Sequence, residues 1–250
     1  MAKSKIAISI DSNLLRLADS KVDGSVIRSR SQSIEYFLKK GMQESSVNDA
    51  VLLLWGGHQK ISLQSFKGRT LIKEQISFFA KYGIKNLYIT TQHTNIINDI
   101  LAECSSSEIN VKLINANAKG NATALESVKN EISGNFIAMS GDTYHNFDVF
   151  GMIKKHISLD KVATMGLMTR EKPTAYGTAV LDGDLIVDFK EKSKHYSTNI
   201  VNAGIYIFKS EIFEFLKNTS SLEKDLFPKI AKIKQLAGFF TYGEYIHFGE

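Results

Sequence analysis

Two glycine-containing turns hold the residues of this sequence that are best placed to do chemistry. Gly56-Gly57 ends the apolar run that starts at Val51, and Gly141-Asp142 directly follows the run FIAMS. A glycine pair after a buried strand is typical of a turn that cradles phosphate with backbone N–H groups. Because ligands in layered α/β sheets bind at the carboxyl ends of the strands, both turns should lie on one rim.

The segments that must position these turns alternate between strand and helix from residue 49 onward. The predicted strands are Val51–Trp55, Asn86–Thr91, Val111–Ala116 and Asn135–Ser140. The predicted helices are Thr70–Tyr82, Asn95–Glu103, Thr123–Ile132 and Phe147–His156. This alternation is typical of an α/β fold, here a Rossmann-like sheet with helices on both faces.

Residues 1–45 follow a different pattern and predict a separate domain. Ile6, Ile8 and Ile10 alternate with polar or small residues, which predicts a half-buried strand, and Asp11 and Ser31 could each cap a helix. One strand and two helices in about 40 residues bury too little surface alone. Two copies that paired their strands would share a core and cover the open edges. The polar stretch GMQESSVNDA is the linker, so the predicted domains are 1–45 and 49–250.

Composition limits the class of protein. A hydrophobic content of 43% in 250 residues supports a substantial core. The single cysteine, Cys104, excludes an intramolecular disulfide and a cysteine-based zinc cluster, and it suits a reducing cytoplasm. No run is long enough to span a membrane and no signal peptide is recognisable, so we expect a cytoplasmic protein with no membrane partner. Residues 1–48 carry eight Lys and Arg against five Asp and Glu, a positive balance that favours a nucleic-acid partner.

The segment from Lys3 to about Met42 resembles ribbon-helix-helix DNA-binding domains, and RSRSQSI is its most specific element. The resemblance implies a β-α-α homodimer, or a higher even-numbered oligomer, whose ribbon enters the major groove of a double-stranded DNA operator. The residues that it assigns to DNA contact are Lys3, Lys5, Ala7, Ser9, Arg28, Arg30 and Ser31. The alternative is an ordinary amphipathic strand and helix pair with no role in DNA binding.

From Ala50 to Glu250 the chain is similar to sugar-phosphate nucleotidyltransferases, which join a nucleoside triphosphate to a sugar 1-phosphate and release pyrophosphate. The motifs that carry the resemblance are GRTLIKEQISFFAKYGIKNLYI, GNATAL, FIAMSGD, YGTAVLDGDLIVDFKEK, NAGIYIF and GEYIHFGE. The resemblance implies a ligand pocket for sugar and nucleotide. Its residues would be Gly56, Gly57, Asn121, Ala122, Asp142, Gly177, Glu191, Lys192, Asn202 and Gly204.

Two departures from the family bear on catalysis. Only HQKISLQSFK separates Gly57 from Gly68, so about half of the family's phosphate-handling loop is absent, with its Thr-Arg and Pro-Lys-Pro residues. The family holds Mg²⁺ with two Asp, and here Asp142 stands at the first position but His247 at the second. Imidazole is a poor ligand for Mg²⁺, so Asp142 is at most a weak Mg²⁺ site. No cofactor is expected, although Asp142 with His247 could take Zn²⁺ or Mn²⁺.

These departures lead to the interpretation that the large domain senses ligands and does not catalyse. The predicted protein is a DNA-binding transcription regulator whose degenerate nucleotidyltransferase domain binds a sugar phosphate or nucleotide-sugar effector. One alternative is a divergent, active sugar-1-phosphate nucleotidyltransferase tethered to DNA. Another is an oligomerisation scaffold that binds no ligand.

Overall fold

The computed structural model describes residues 6–22, 27–45 and 47–248. Backbone contacts divide the chain into two units, Met1–Ser46 and Val47–Glu250, called here the small unit and the large unit. No helix among the described residues is long and apolar enough to cross a membrane.

The small unit contains two helices, α1 (Ser12–Ser20) and α2 (Arg30–Ser45). The Asp11 carboxylate accepts hydrogen bonds from the N–H groups of Asn13 at 2.9 Å and Leu14 at 3.3 Å, which confirms the predicted cap. Helix α2 begins at Arg30, two residues earlier than a cap at Ser31 would require, and the Ser29 hydroxyl accepts from the Gln32 N–H at 3.3 Å. Ser31 therefore lies inside the first turn, and the prediction that it caps the helix is wrong.

The predicted strand of the small unit is not shown. Residues 6–10 have no regular secondary structure, and the side chains of Ile6 and Ile8 are 74% and 57% exposed. An isolated segment cannot form a ladder, because a strand needs a hydrogen-bonded neighbour, and the described part of the chain supplies none. A ribbon-helix-helix domain is thus not established. Lys3 and Lys5, two of its predicted DNA contacts, lie outside the described residues.

The large unit is built on a mixed sheet of nine strands in the order β5-β4-β1-β6-β11-β8-β12-β10-β9. The strands of the unit are β1 (Asp49–Leu53), β2 (Ser65–Phe66), β3 (Arg69–Thr70), β4 (Asn86–Thr91), β5 (Asn110–Asn115), β6 (Asn135–Ser140), β7 (Thr143–His145), β8 (Ala163–Thr169), β9 (Gly177–Asp182), β10 (Leu185–Glu191), β11 (Ile200–Lys209), β12 (Leu236–Phe240) and β13 (Tyr245–His247). Strands β5, β4, β1 and β6 run parallel, while β11 is antiparallel to both β6 and β8. Two short pairs, β2 with β3 and β7 with β13, lie outside the main sheet.

Helices cover both faces of this sheet. They are α3 (Gln59–Ser62), α4 (Leu71–Lys81), α5 (Ile97–Cys104), α6 (Asn121–Glu126), α7 (Val149–Leu159), α8 (Ile212–Phe215) and α9 (Phe227–Lys232). A π-helical segment, Leu222–Leu226, precedes α9, and short 3₁₀ turns occupy Gly56–His58 and Pro173–Ala175.

Strand β1 shows why the central strands appear in the sequence as continuous apolar runs. Val51 and Leu53 belong to the core on the face of α6 and α9, whereas Ala50, Leu52 and Leu54 belong to the core under α4 and α7. Since both faces of a parallel sheet are buried, every position from Ala50 to Leu53 is apolar. The predicted α/β fold with helices on both faces is confirmed by this arrangement.

Helix α6 is the clearest difference from the predicted elements. The sequence predicts a helix over Thr123–Ile132, but the structure has Asn121–Glu126 followed by turns. The Ser127 hydroxyl donates to the carbonyl of Ala124 at 2.7 Å, a local bond that competes with helix continuation. The apolar positions Val128 and Ile132, which suggest helical periodicity, are buried by the turns instead.

Candidate functional site

Two adjoining cavities lie at the carboxyl ends of the central strands, where the two glycine turns are also found. The first, the upper cavity, has a volume of about 390 Å³ and is bordered by the end of β1, the end of β4 and the start of α6. The second, the lower cavity, has a volume of about 160 Å³ and is bordered by β10, β11 and the turn after β6. Glu223 lines both cavities, so they meet at this side chain.

The Gly56-Gly57 turn shapes the upper cavity without presenting all its backbone donors to it. The Gly56 N–H donates to the side-chain oxygen of Gln92. A Cβ at Gly57 would overlap the ring of Trp55, so this position requires glycine for close packing. Trp55 itself is 63% exposed and lines the cavity together with His58. Phosphate binding by the Gly56 and Gly57 N–H groups stays a prediction.

The shortened loop after Gly57 is folded onto the end of β4. The buried amide of Gln59 donates to the Thr91 hydroxyl at 2.7 Å and to the carbonyl of Gln92 at 2.7 Å. Thr94 donates to the same amide from the other side. The loop is therefore a compact, hydrogen-bonded substitute for a longer segment, and it closes one wall of the upper cavity.

Asn121 lines the upper cavity, as the resemblance implies, but its amide is held by the protein. Its Nδ2 donates to both oxygens of Glu223, at 2.8 and 3.1 Å, and its Oδ1 accepts from the Leu222 N–H at 2.9 Å. Ala122 is fully buried, and its N–H donates to the carbonyl of Ser220 at 3.2 Å. Asn121 is therefore a wall of the cavity, whereas Ala122 supports that wall from behind.

The lower cavity brings together six residues that three of the sequence motifs nominate. They are Asp142, Gly177, Glu191, Lys192, Asn202 and Gly204. Tyr176, Tyr206, Glu223 and His247 also line it. The order of motifs along the chain thus corresponds to one contiguous site in space.

Glu191 is the carboxylate best placed to accept hydroxyl groups in the lower cavity. It pairs across the β9–β10 ladder with Gly177, where a Cβ would come within 2.7 Å of the Glu191 carboxylate. Burial, together with the negative charge of Glu223, raises the pKa of Glu191 to about 7. Near neutral pH this group can therefore accept or donate a hydrogen bond.

Lys192 supplies a positive charge at the mouth of the lower cavity. Its φ of 44° places it in the left-handed region, which is uncommon for a lysine. The conformation is held by its N–H, which donates to the carbonyl of Tyr176 at 3.1 Å. Strain of this kind concentrates at functional sites, and here it points to a role for the Lys192 side chain.

Asn202 and Gly204 form the floor of the lower cavity at an irregularity of β11. The register of β11 against β8 shifts between Asn202 and Tyr206, and Gly204 has a φ of 69°. Its N–H donates to Asn202 Oδ1 at 2.9 Å, while Asn202 Nδ2 donates to the Tyr206 hydroxyl at 2.8 Å. The bulge therefore fixes the orientation of the Asn202 amide.

Asp142 is clamped between two imidazoles. Its Oδ2 lies 3.0 Å from His58 Nδ1 and 3.4 Å from His247 Nε2. Burial raises the pKa of this carboxyl, but the hydrogen bond from His247 and the charges of His247 and His58 outweigh burial and hold it below its usual value. The third residue, His58, comes from the shortened loop and has no counterpart in the motifs.

These side chains do not fit the Mg²⁺ site that the family resemblance implies. Mg²⁺ requires a near-octahedral set of oxygen ligands, whereas one Asp142 oxygen here already faces two ring nitrogens. Within residues 6–22, 27–45 and 47–248, no group of three His, Cys, Asp or Glu side chains is arranged to hold a metal ion.

We expect His247→Asp to create a Mg²⁺ site that the natural chain lacks, because a second carboxylate would then face Asp142. At ten times its Kd, Mg²⁺ should add about 1.4 kcal/mol to the stability of the variant. Thermal unfolding with and without MgCl₂ measures this, and adding Asp142→Asn to the variant should remove the response. Saturable Mg²⁺ stabilisation of the unmodified chain would contradict the assignment.

Five of the nominated DNA contacts, Ala7, Ser9, Arg28, Arg30 and Ser31, lie within the described residues of the small unit. Ala7, Ser9 and Ser31 are exposed. Arg30 forms a two-pronged pair with Asp19, at 2.6 and 2.7 Å, and this bond lowers the pKa of the Asp19 carboxyl. The Arg28 N–H donates to the side-chain oxygen of Gln32 at 2.7 Å. Arg30 is accordingly a link between α1 and α2.

Sequence reasoning missed three residues of the two cavities. His58 faces Asp142 across 84 positions of the chain, Tyr206 orients Asn202, and Glu223 joins the cavities. Tyr206 lies within the motif NAGIYIF, but the resemblance assigned it no role, and His58 and Glu223 belong to none of the quoted motifs. Glu223 lies in the π-helical segment Leu222–Leu226, and π-helical turns are frequent at functional sites. The sequence alone does not reveal this π-helical geometry.

Comparison with known proteins gives three related findings. The family model described as nucleotidyl transferase matches residues 58–242. The chain is 23% identical over 197 residues to the mannose-1-phosphate guanylyltransferase catalytic subunit beta of Danio rerio, covering 75% of this chain and 55% of that protein. It is 32% identical over 117 residues to the D-glycero-alpha-D-manno-heptose 1-phosphate guanylyltransferase of Aneurinibacillus thermoaerophilus, covering 46% and 50%. The chain thus spans about half the length of the curated relatives it matches.

Among solved structures, HddC from Yersinia pseudotuberculosis has the same fold. Its TM-score against this chain is 0.68 at 22% sequence identity, and the match covers 81% of this chain and 94% of that one. A UDP-glucose pyrophosphorylase complexed with UDP-glucose matches with a TM-score of 0.67 at 15% identity, covering 82% and 94%.

Proposed function

Because the chain belongs to the nucleotidyl transferase family, we propose that it transfers a nucleotidyl group from a nucleoside triphosphate to a sugar 1-phosphate. A phosphate oxygen of the sugar 1-phosphate attacks the α-phosphorus. The bond from that phosphorus to the bridging oxygen breaks, and pyrophosphate leaves. The observation that carries the proposal is the pair of adjoining cavities, which would hold the two reactants side by side.

The interpretation as a DNA-binding transcription regulator with a non-catalytic sensor domain is wrong. The relatives that the large unit matches are named as sugar-1-phosphate guanylyltransferases, which favours the active-enzyme alternative. The shortened loop is the main reason for the error, since its missing motif residues were equated with missing activity. The loop is shorter, but it packs against the end of β4, borders the upper cavity and contributes His58 to the site.

The proposed roles follow from the chemistry of each cavity. The upper cavity is lined by Trp55 and the ends of β1 and β4, and it would take the base and ribose of the nucleotide. In the lower cavity, Glu191 and Asn202 would hold sugar hydroxyls, and Lys192 would pair with the sugar phosphate as a point charge.

The names of the relatives suggest a first choice of substrates, GTP with a manno-configured sugar 1-phosphate. The test is pyrophosphate release with GTP, ATP, UTP, CTP and dTTP against the 1-phosphates of mannose, heptose and glucose. We expect release with at least one pair, and GTP with mannose 1-phosphate is the leading candidate. Binding of both members of every pair with no release from any of them would overturn the proposal.

A reducing, cytoplasmic location is part of this proposal. Its support is Cys104, the one cysteine of the chain, which is buried and whose thiol pKa burial raises to about 11. Such a thiol is protonated and unreactive at neutral pH.

Self-association through the small unit is a further part of the proposal. Leu14 and Leu17 of α1 are 60% and 62% exposed, and Phe37 and Leu38 of α2 are 45% and 52% exposed. A unit of this size that leaves so many large apolar side chains in water gains stability by covering them with a second copy.

We expect sedimentation to give twice the chain mass of 27.9 kDa for the unmodified protein. Leu17→Glu should weaken the dimer at least tenfold, because it would place a charge in the covered face. Leu101→Glu is the control, since Leu101 is also exposed, at 46%, but lies in the large unit. A dimer that resists Leu17→Glu would contradict the assignment of this surface.

A further inference from the structure

Glu223 is the side chain through which the two cavities are connected by hydrogen bonds. It lies in the π-helical segment Leu222–Leu226, is half-buried, and lines both cavities. Its carboxylate receives donors from both sides. Asn121 Nδ2 reaches it from the upper cavity, at 2.8 and 3.1 Å, and the Tyr206 hydroxyl reaches it from the lower cavity at 3.3 Å.

The connection continues beyond Tyr206 to the floor of the lower cavity. Asn202 Nδ2 donates to the Tyr206 hydroxyl at 2.8 Å, and Asn202 Oδ1 accepts from the Gly204 N–H at 2.9 Å. Tyr206 is 1% exposed, and burial raises its pKa well above the usual value, so it stays protonated and keeps donating to Glu223. Three side chains, Asn202, Tyr206 and Glu223, thus link the Gly204 bulge to Asn121.

The upper end of this chain of bonds is rigid. Asn121 Oδ1 accepts from the Leu222 N–H at 2.9 Å, so the amide grips the π-helical segment at two points. Gly120 packs so closely against the Ser220 carbonyl that an added Cβ would overlap it. A displacement of Glu223 must therefore move Asn121 and the wall of the upper cavity with it.

We infer that Glu223 is a positioning residue that couples occupancy of the two cavities, so that a sugar phosphate and a nucleotide each strengthen binding of the other. A ligand that displaces Asn202 also displaces Tyr206, Glu223 and Asn121, because hydrogen bonds join them, so the free-energy cost of rearranging this shared wall is met once for both ligands. The inference rests on the proposed function, because it takes the two cavities as the sites of the two substrates.

Glu223→Gln separates coupling from shape. The amide has the size of the carboxylate, but it has a single acceptor oxygen where Glu223 has two that receive Asn121 and Tyr206. Since Asn121 Nδ2 lies within 3.1 Å of both carboxylate oxygens, either orientation of the amide sets an NH2 donor against it, so the connection is weakened while the cavity volume is kept. Tyr206→Phe breaks the same connection one bond away and provides a second variant.

The test is calorimetric titration of the full chain with mannose 1-phosphate, alone and with a saturating non-hydrolysable GTP analogue, and the reverse titration. For the unmodified chain we expect the second ligand to lower the Kd of the first about tenfold, by the same factor in both directions. In Glu223→Gln and Tyr206→Phe that factor should fall to about one, and because it is the ratio of two Kd values for the same variant, a change in the affinity for a single ligand does not enter it. Glu214→Gln, an exposed carboxylate on α8 outside both cavities, should keep the tenfold factor.

The outcomes distinguish the inference from the proposed function. Binding of both ligands without coupling in the unmodified chain would overturn the inference alone. An unchanged factor in both Glu223→Gln and Tyr206→Phe would also overturn it. Binding of neither ligand to the unmodified chain would overturn the proposed function and the inference together.

Discussion

Lowering the pH from 7 to 5 should destabilise the large unit through two histidines that are buried and neutral in the folded chain. Burial lowers the pKa of His145 to about 3 and that of His156 to about 4. His145 Nε2 contacts the Thr143 hydroxyl at 3.1 Å and His156 Nδ1 contacts the Thr164 hydroxyl at 2.8 Å. The other ring nitrogen of each has no hydrogen-bond partner among the described residues, so neither ring can hold a second proton at low cost.

The direction of the effect follows from which state binds protons. An unfolded histidine takes up a proton near pH 6.5, whereas these two do so in the folded chain only near pH 3 and 4. Stability is therefore lost as the pH falls below about 6.5, and the loss ends at the folded pKa. At pH 5 it amounts to about 2 kcal/mol for each histidine.

Glu191 acts in the opposite direction, because its raised pKa lets the folded chain keep a proton that the unfolded chain releases. The contribution of His156 is therefore measured as the difference in the free energy of unfolding between the unmodified chain and His156→Gln. Urea unfolding of the large unit at pH 7 and at pH 5 gives this difference. Relative to the unmodified chain, the variant should be more stable at pH 5 than at pH 7 by about 2 kcal/mol. The exposed His195→Gln is the control and should track the unmodified chain. Parallel pH curves for His156→Gln and the unmodified chain would show that His156 is not buried as a neutral ring.

Replacing Lys192 with alanine should lower kcat/KM for the sugar 1-phosphate about a hundredfold, because a charged hydrogen bond to phosphate contributes roughly 1.5–3 kcal/mol. Most of the loss should be in KM, since the side chain lies at the mouth of the lower cavity and would bind the phosphate in substrate and transition state alike. Steady-state pyrophosphate release measures both constants.

Folding does not confound this variant. Alanine has the same Cβ as lysine and meets the same strain at a φ of 44°, so the thermal midpoint should stay within about 2 °C. Lys192→Arg should recover part of the affinity, because it restores the charge. The exposed Lys194→Ala, two positions along the same loop, should behave as the unmodified chain does. A drop in kcat with no change in KM would mean that Lys192 contacts the phosphate only in the transition state. That result would contradict a role for Lys192 in substrate binding.

Sequence patterns predicted well the features that depend on short stretches of chain. Strands β4 and β6 match their predicted bounds, because their apolar runs are buried on both faces and are bounded by polar residues. The motifs also placed Glu191, Lys192 and Asn202 in one cavity, since matching motifs in matching order imply the same spatial arrangement.

Other features depend on contacts that no local pattern encodes. The approach of His58 to Asp142 requires the shortened loop to fold back along β4, and Glu223 enters the site from a π-helical turn 102 residues away from Asn121. The loop lacks the family's motif residues, and that absence predicts a domain without catalysis. Other side chains of the loop border the cavity instead. In the small unit, alternation of Ile6, Ile8 and Ile10 predicts a strand, but residues 6–10 have no second strand to pair with among the described residues.

The contact between Gly120 and Ser220, on which the upper cavity depends, also has a kinetic consequence. These residues are far apart in sequence, and loop-closure entropy makes such contacts expensive to form early in folding. The cavity wall should therefore be completed after the transition state for folding has passed. Nucleotide bound there would leave the folding rate nearly unchanged and would instead slow unfolding, which prolongs the lifetime of the folded chain at elevated temperature.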